Sequence, residues 1–286
     1  ILPPPIWGHY SPMGKLAEGT IVDTPTSIES DFKITPEKIE KAITPKTKLI
    51  MFSSPCNPTG TVYTKDELKA LAEVVARHEN VYIISDEIYE HINFTGQHAS
   101  MAQFDFIYDR VVTVNGLSKA YAMTGWRLGY IGAPLWIAKA CDKIQGQYTS
   151  ATCSITQRAA IAALEGDVET TLTMKAAFLR RRDLVFQMMQ NIKGLKFNNP
   201  QGAFYFFPDV SNYFGKTYNG NTINNADDMA MYLLNEGNLS VVTGSAFGDQ
   251  NCIRFSYATS DDKLVEAMKR LKIALEKLIT QEIPVS

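Results

Sequence analysis

The sequence is poor in cysteine and has no long apolar run. Its four cysteines, Cys56, Cys141, Cys153 and Cys252, are widely scattered, and no CxxC pair occurs. This spacing argues against a structural zinc site and a disulfide framework, and reduced thiols are typical of a cytoplasmic protein. The longest apolar runs, such as 81–84 and 111–114, are far shorter than the roughly 20 residues of a membrane-spanning helix. A membrane location is therefore not expected.

An excess of charge of one sign is lacking as well. The 28 Lys and Arg residues nearly balance the 30 Asp and Glu residues, which leaves a net charge of −2. Without a basic excess, neither nucleic acid nor an anionic membrane surface is expected as a partner. The hydrophobic share of 45% and the charged share of 20% are ordinary for globular proteins and exclude a disordered chain.

Several catalytic and binding motifs are missing. The sequence contains no GxxxxGK[ST], no GxGxxG after a strand, no HExxH and no GxSxG, which removes the simplest nucleotide-binding, metalloprotease and hydrolase interpretations. A group of Asp86, Glu87, Glu90 and His91 offers metal-ligating side chains. Carboxylates in such a run are ordinarily solvated, so no metal is expected.

Short apolar runs alternate with helical patterns over the first two-thirds of the chain. Strands are predicted over 48–52, 81–84, 111–114 and 128–131. A helix is predicted after Thr35-Pro36, another after the capping box at Thr64, and a third over 135–146. This alternation predicts an α/β domain whose mainly parallel sheet is flanked by helices.

The pattern changes after residue 166. A long helix is predicted over 168–189, with three consecutive arginines, 180–182, interpreted as a solvated face. Further elements follow: strands over 203–207, 239–242 and 253–256, and two helices, the last starting at Ser260. We therefore predict two domains: a large domain over residues 1–166, and a linking helix with a small α+β domain over residues 167–286.

A lysine follows the third predicted strand almost directly. Residues 115–119 read NGLSK, and the segment continues as AYAMTGWRLGY. Ligands in open α/β sheets lie outside the carboxyl ends of the strands, which is where Lys119 is expected. A single lysine is more often a surface cation than a nucleophile, so the functional signal lies in the segment around it.

Residues 118–130, SKAYAMTGWRLGY, resemble the cofactor-lysine segment of the fold-type-I pyridoxal-phosphate enzymes, specifically the class I/II aminotransferases. Further marks of that family follow one order along the chain: PIW at 5–7, NPTG at 57–60, SDEIY at 85–89, GAFY at 202–205 and RFSYA at 254–258. The resemblance implies the fold-type-I transferase architecture, with pyridoxal 5'-phosphate as the cofactor of the large, mainly parallel domain.

The resemblance implies catalytic roles for residues at the strand ends. Lys119 would bond covalently to the cofactor aldehyde and later act as the general base. Asp86 would pair with the protonated pyridine nitrogen, which strengthens the cofactor as an electron sink. Asn57 and Tyr89 would hydrogen-bond its phenolic oxygen. For Tyr89, a core aromatic with a satisfied hydroxyl is the alternative, and for Asp86 a helix-capping or surface carboxylate.

Other residues would hold the cofactor and the substrate. Trp7 resembles the aromatic residue that stacks on the cofactor ring, Arg127 the arginine that binds the cofactor phosphate, and Arg254 the one that binds the substrate α-carboxylate. Both arginine roles need the bidentate guanidinium fork, which lysine lacks. Phe204 would line the substrate pocket. The alternatives are core positions for Trp7 and Phe204 and surface ion pairs for the arginines.

The sequence departs from the family pattern in two places. Many relatives carry Ser or Thr three residues before the lysine, where it bonds the phosphate, whereas this chain has Gly116; Ser118 is a candidate replacement. An Asn-Gly-x-x-Lys start resembles one bacterial aspartate/prephenate aminotransferase subgroup. The resemblance also implies roughly a hundred residues before the Pro-x-Trp segment, including a Gly-rich helix start for the phosphate. We expect this chain to lack that N-terminal portion.

The expected function is amino transfer from an amino acid, with aspartate favoured, to a 2-oxo acid such as 2-oxoglutarate. The resemblance implies a homodimer with active sites shared between subunits. Two alternatives stay open: a C–S lyase of the same fold, and a non-enzymatic relative such as the ligand-sensing half of a transcription regulator. The complete set of Lys119, Asp86, Arg127 and Arg254 disfavours the second.

Overall fold

A four-stranded sheet forms the centre of the first part of the chain. A computed structural model describes residues 1–280. The strands lie in the order β1 (Leu49–Ser53), β2 (Tyr82–Asp86), β3 (Val111–Gly116) and β4 (Gly129–Gly132). The β1–β2 and β2–β3 pairs are parallel, and β4 is antiparallel to β3. The predicted strands and the mainly parallel sheet are confirmed, with ends shifted by a few residues.

Helices cover the sheet and build the second part of the chain. They are α1 (Tyr10–Leu16), α2 (Pro36–Ala42), α3 (Lys65–Ala76), α4 (Leu135–Tyr148), α5 (Ser154–Glu165), α6 (Glu169–Met189), α7 (Ala226–Gly237) and α8 (Asp261–Lys277). The capping box of α3 is formed: the Thr64 hydroxyl accepts from the amide of Glu67, whose carboxylate accepts from the amide of Thr64. Within residues 1–280, even the 21-residue α6 is not apolar enough to cross a membrane, and neither is any other helix.

Two smaller sheets lie in the second part of the chain. Their strands are β5 (Tyr205–Phe206), β6 (Lys216–Tyr218), β7 (Asn221–Thr222), β8 (Val242–Thr243), β9 (Ile253–Ser256) and β10 (Ile279–Thr280), in the orders β5-β9-β8 and β10-β6-β7. The strand predicted over 203–207 is shorter, because Ala203 has a left-handed backbone with φ of 55°. The sequence patterns missed β6 and β7, which are too short to show apolar alternation.

The apolar side chains form two main clusters. One lies between Ile34 and Val111 and packs α2 and α3 against the central sheet. The other lies between Val185 and Leu278 and packs α6, α7 and α8 around the smaller sheets. The division into residues 1–166 and 167–286 stays a prediction, and residues 281–286 lie outside the described residues.

The arginine run on α6 is not a uniformly solvated face. Arg180 and Arg181 both bind the Asp261 carboxylate at the start of α8. The Arg182 side chain is only 12% exposed and donates to the carbonyl of Pro200 at 2.7 Å. The interpretation as a solvated face is therefore wrong for Arg182, whose donors satisfy a backbone acceptor inside the fold.

Candidate active site

The ends of three strands bring the predicted residues together. In the sheet register Ser53 is paired with Asp86, and Asp86 with Val114, so β1, β2 and β3 end at one edge. Asn57 follows β1, Asp86 ends β2, and Lys119 follows β3. This edge is where open α/β sheets bind ligands, and it holds residues far apart in sequence.

Asp86 is held by two hydrogen bonds. Its Oδ1 accepts from the amide of Ile88 at 3.1 Å, and its Oδ2 accepts from the hydroxyl of Tyr10 at 2.6 Å. Burial raises the pKa of Asp86, whereas these two bonds and the nearby Lys119 oppose the increase. Each carboxylate oxygen can accept a second hydrogen bond, so Asp86 can still accept the N–H of a protonated pyridine ring.

Lys119 lies among charged and aromatic groups. Its Nζ is 6.0 Å from the ring centre of Tyr89. Burial lowers the pKa of Lys119, and the positive charges of Arg127 and Arg254 lower it further, against the opposing effect of Asp86. A lowered pKa increases the fraction of neutral amine near neutral pH, and the neutral amine is the form that acts as a nucleophile or base.

Arg254 is held between two aromatic rings. Its guanidinium carbon lies 4.5 Å from the ring centre of Tyr205 and 4.8 Å from that of Phe247. One terminal nitrogen donates to Oδ1 of Asn57 at 2.9 Å. The buried Nε has no partner within residues 1–280. A buried donor without a partner is costly, so an anionic ligand would stabilise this arrangement, as expected for a carboxylate-binding arginine.

Tyr89 and Phe204 lie in one aromatic cluster beside the lysine. The hydroxyls of Tyr89 and Tyr205 are 2.9 Å apart. Burial, followed by the neighbouring Tyr205, raises the pKa of Tyr89 well above its ordinary value, so Tyr89 stays protonated as a donor. Phe204 packs edge-on against Tyr89 at 5.4 Å and stacks on Phe178 at 5.2 Å.

Trp7 is 37% exposed and stacks on His9 with ring centres 4.5 Å apart. It is therefore not a core residue, and the core alternative is wrong. Its ring also contacts Tyr10 edge-on at 5.6 Å, which places it next to the residue that binds Asp86.

Arg127 has a left-handed backbone with φ of 54° and donates to the carbonyl of Thr124 at 2.7 Å. The hydrogen-bond acceptor is a backbone oxygen rather than a carboxylate, which does not match the alternative of a surface ion pair. Its exposed guanidinium keeps further donors for an anion such as a phosphate. Together with Lys119, Asp86, Asn57 and Arg254, it supplies donor and acceptor side chains of the kinds that can bind pyridoxal phosphate and a substrate carboxylate.

A close backbone contact explains why residue 116 is a glycine. A Cβ atom there would lie 2.9 Å from the carbonyl oxygen of Leu128 and 3.0 Å from the Cα of Gly129. Both are backbone atoms of the neighbouring chain segment, which pairs Gly116 with Gly129. A Ser or Thr side chain would therefore crowd this strand pair unless the backbone shifted. Whether Ser118 replaces the missing hydroxyl stays a prediction.

Substituting Gly116→Ser is expected to destabilise the fold by about 1–3 kcal/mol, because the added atoms overpack β3 against β4. Urea unfolding monitored by circular dichroism measures the loss. Gly132→Ser is the matched control, since Gly132 lies in the same strand pair with no atom within 4 Å of an added Cβ. Equal unfolding midpoints for the two variants would contradict the packing explanation.

Tyr10 is a site residue that the sequence patterns missed. It is 4% exposed, and burial and the Asp86 carboxylate raise its pKa well above the ordinary value, so it remains a donor. It lies three residues after the PIW motif and outside it, and its partner Asp86 lies 76 positions further along the chain, so no local pattern linked the two.

Tyr10→Phe is expected to raise the pKa of Asp86 further, because it removes a donor to the ionised carboxylate. With a raised pKa, the folded state binds the proton more tightly than the unfolded state. Stability therefore falls as the pH rises from the unfolded pKa of about 3.9 towards the folded pKa. The variant should lose more stability over this interval, by about 1 kcal/mol.

Unfolding free energies between roughly pH 3 and 8 test this effect. Tyr232→Phe is the control, since the Tyr232 hydroxyl donates at 2.6 Å to the backbone carbonyl of Ala274 rather than to a carboxylate. Its loss of stability should not depend on pH. Parallel pH curves for Tyr10→Phe and wild type would remove Tyr10 from the control of Asp86.

The acidic run at residues 86–91, from which no metal site was expected, does not form a single cluster of metal-ligating side chains. Asp86 is bound by Tyr10, and His91 pairs with Glu90 at 3.1 Å. A different trio, Glu87, Glu90 and His98, has ligand atoms within 4.8 Å of one another. The buried Glu87 carboxylate already has hydrogen-bond partners, namely Ser85, His98, Ser100 and the amide of Met101. These bonds explain its burial.

Comparison with known proteins identifies the family. Residues 1–271 match the sequence model of the family described as aminotransferase class I and II. The chain is 46% identical over 280 residues to the bifunctional aspartate aminotransferase and glutamate/aspartate-prephenate aminotransferase of Petunia hybrida, covering 96% of this chain and 58% of that protein. It is 48% identical over 282 residues to the aspartate/prephenate aminotransferase of Cereibacter sphaeroides, covering 95% and 69% respectively. The chain thus spans little more than half of the Petunia protein.

Solved structures agree with this assignment. The aspartate aminotransferase of Rhizobium meliloti superposes with a TM-score of 0.93 at 40% identity, covering 97% of this chain and 70% of that one. The aromatic aminotransferase of Pyrococcus horikoshii gives a TM-score of 0.90 at 37% identity, covering 96% and 72%. The expected fold-type-I architecture is confirmed, and with it the use of pyridoxal phosphate by this family. The chain belongs to the class I and II aminotransferases.

Proposed function

We propose that this protein is an aminotransferase that moves an amino group from aspartate to a 2-oxo acid such as 2-oxoglutarate. The observation that carries the proposal is the position of Lys119, whose lowered pKa reflects burial and the nearby Arg127 and Arg254. The names of the Cereibacter sphaeroides and Rhizobium meliloti relatives support aspartate as the amino donor.

Pyridoxal phosphate, when bound, supplies an electron sink for the electrons of the substrate Cα–H bond. Asp86 would hold the proton of the pyridine nitrogen, and Arg127 would bind the phosphate. Asn57 and Tyr89 would donate to the phenolic oxygen, while Trp7 would cover the ring face. The family resemblance suggests these roles, and the contacts of Asp86, Asn57 and Tyr89 at the sheet edge support them.

Lys119 would bind the cofactor covalently and serve as the base. Its neutral amine can accept the proton from the α-carbon of a bound amino acid and return it. Arg254 would bind the α-carboxylate through its guanidinium fork, with Asn57 fixing its orientation at 2.9 Å. Phe204, half-buried beside Tyr89, would form one wall of the substrate pocket.

We also propose a homodimer with shared sites. No residue of the 14-residue α4 is buried, and its exposed apolar side chains include Leu135, Trp136, Ile144 and Tyr148. Several exposed apolar side chains on one helix are typical of an interaction site. The four cysteines are unpaired, which supports the proposed cytoplasmic location. We propose as well that the large domain ends at residue 166 and that the linking helix and the small domain begin at residue 167.

Incubation of the cofactor-loaded protein with aspartate and 2-oxoglutarate tests the function. Formation of glutamate, measured with glutamate dehydrogenase, is the expected result. Incubation with cystathionine is the comparison, because a C–S lyase would release pyruvate and ammonia. Pyruvate and ammonia release from cystathionine without glutamate formation from aspartate would overturn the proposal.

A further inference from the structure

Tyr205 lies between one residue proposed to contact the cofactor and another proposed to bind the substrate. Its hydroxyl is 2.9 Å from the hydroxyl of Tyr89, which is proposed to face the cofactor. Its ring lies 4.5 Å from the guanidinium carbon of Arg254, which is proposed to bind the substrate carboxylate. Tyr205 is 6% exposed, so both contacts are shielded from water.

The strand pairing explains why one side chain reaches both groups. Tyr205 on β5 is paired with Ser256 on the antiparallel β9. Arg254 lies two residues from Ser256, so it is the diagonal neighbour of Tyr205 on the same face of the sheet. The guanidinium is also covered on another side by Phe247, whose ring centre is 4.8 Å away.

The hydrogen bond between the Tyr89 and Tyr205 hydroxyls can run in either direction, because either hydroxyl can be the donor. Each tyrosine hydroxyl carries one proton to donate and can accept hydrogen bonds as well. If Tyr89 donates to a ligand, Tyr205 must be the donor within the Tyr89–Tyr205 pair. The donor strength of Tyr205 depends on Arg254, because the nearby positive charge lowers the pKa of Tyr205 against the larger effect of burial.

We propose that Tyr205 is a positioning residue that couples carboxylate binding at Arg254 to the hydroxyl of Tyr89. An anion on Arg254 neutralises the charge over the Tyr205 ring, which makes the Tyr205 hydroxyl a weaker donor to Tyr89. Tyr89 thereby responds to occupation of the carboxylate site. This inference rests on the proposed roles of Arg254 and Tyr89.

The experiment uses the cofactor-loaded protein labelled with ¹³C at the ζ-carbon of tyrosine, so that Tyr89 has the ligand to which it is proposed to donate. Succinate, a dicarboxylate with neither an amino nor an oxo group, is the probe. Binding of succinate should shift the Tyr89 signal, assigned by its loss in Tyr89→Phe. In Tyr205→Phe, which keeps the ring beside Arg254, the shift should fall by at least half, while the Kd for succinate changes less than about threefold.

The control is Tyr257→Phe, since the Tyr257 hydroxyl is buried nearby but donates to the carbonyl of Ala203 at 3.2 Å. It should leave the Tyr89 shift unchanged. A Tyr89 shift of full size in Tyr205→Phe would overturn the coupling, and so would a wild-type protein that does not bind succinate.

A second measurement does not depend on substituting Tyr205. In Tyr89→Phe the Tyr205 signal should still move with succinate, because its ring remains on Arg254; an unchanged signal would also overturn the proposal. None of these readouts requires turnover. A failure of the coupling is therefore distinguishable from a failure of amino transfer, which is judged by glutamate formation with wild type.

Discussion

Lys119→Ala is expected to abolish covalent binding of pyridoxal phosphate and to lower kcat/KM by at least about 10⁴-fold. General base catalysis alone contributes roughly 10²–10⁴-fold, and the same residue is proposed to supply the covalent attachment. Lys119 is the amine at the end of β3, and burial and the charges of Arg127 and Arg254 lower its pKa. Alanine has no amine to replace it.

Borohydride reduction followed by peptide mass spectrometry measures the attachment. Wild type should carry the reduced cofactor on the peptide that contains Lys119, and the alanine variant should carry none. Lys269→Ala is the control, since Lys269 lies exposed on α8 and the variant should keep the adduct on Lys119. A reduced cofactor adduct in Lys119→Ala at the wild-type level would show that another amine holds the cofactor.

Arg254→Lys is expected to raise the KM for the amino acid about 10- to 100-fold, with a smaller change in kcat. Lysine cannot form the bidentate pair with a carboxylate, and each factor of ten corresponds to about 1.4 kcal/mol. The ammonium also loses the planar stacking between Tyr205 and Phe247 and the hydrogen-bond geometry towards Asn57.

Initial rates at varied amino acid concentration separate the two kinetic parameters. Arg270→Lys is the matched control, because Arg270 lies on the surface and bonds only Glu266 and the carbonyl of Asn238 within the described residues. Its KM should equal that of wild type. An unchanged KM in Arg254→Lys together with a lower unfolding midpoint would assign Arg254 a structural role instead.

Much of the fold was predictable because its signals are local. The capping box at Thr64 and the apolar positions after it predicted α3, and both features are formed. Short apolar runs predicted β1 to β3 because the strands of a mainly parallel sheet are rich in apolar residues. The family motifs were also local, and the position of Lys119 and Asp86 at strand ends followed from the rule for parallel sheets.

The partners of the site residues could not be predicted from such patterns. Tyr10 meets Asp86 across 76 positions, and Tyr205 meets Tyr89 across 116. No periodicity of a helix or strand extends over such distances, so only the packing of separate elements brings these hydroxyls together. The need for glycine at position 116 was equally unpredictable, since an added Cβ there would lie 2.9 Å from the carbonyl oxygen of Leu128, next to the adjacent strand.

Local sequence signals and tertiary contacts therefore determined different features of this protein. Composition, short periodic patterns and family motifs were sufficient to predict the architecture and the family, because these signals depend on neighbours in sequence. Only the folded chain showed three contacts: the Tyr10 hydroxyl on Asp86, the aromatic rings on the Arg254 guanidinium, and the hydrogen bond between Tyr205 and Tyr89. Hydrogen bonds and ring contacts act over a few ångströms, and only tertiary packing brings distant residues within that range.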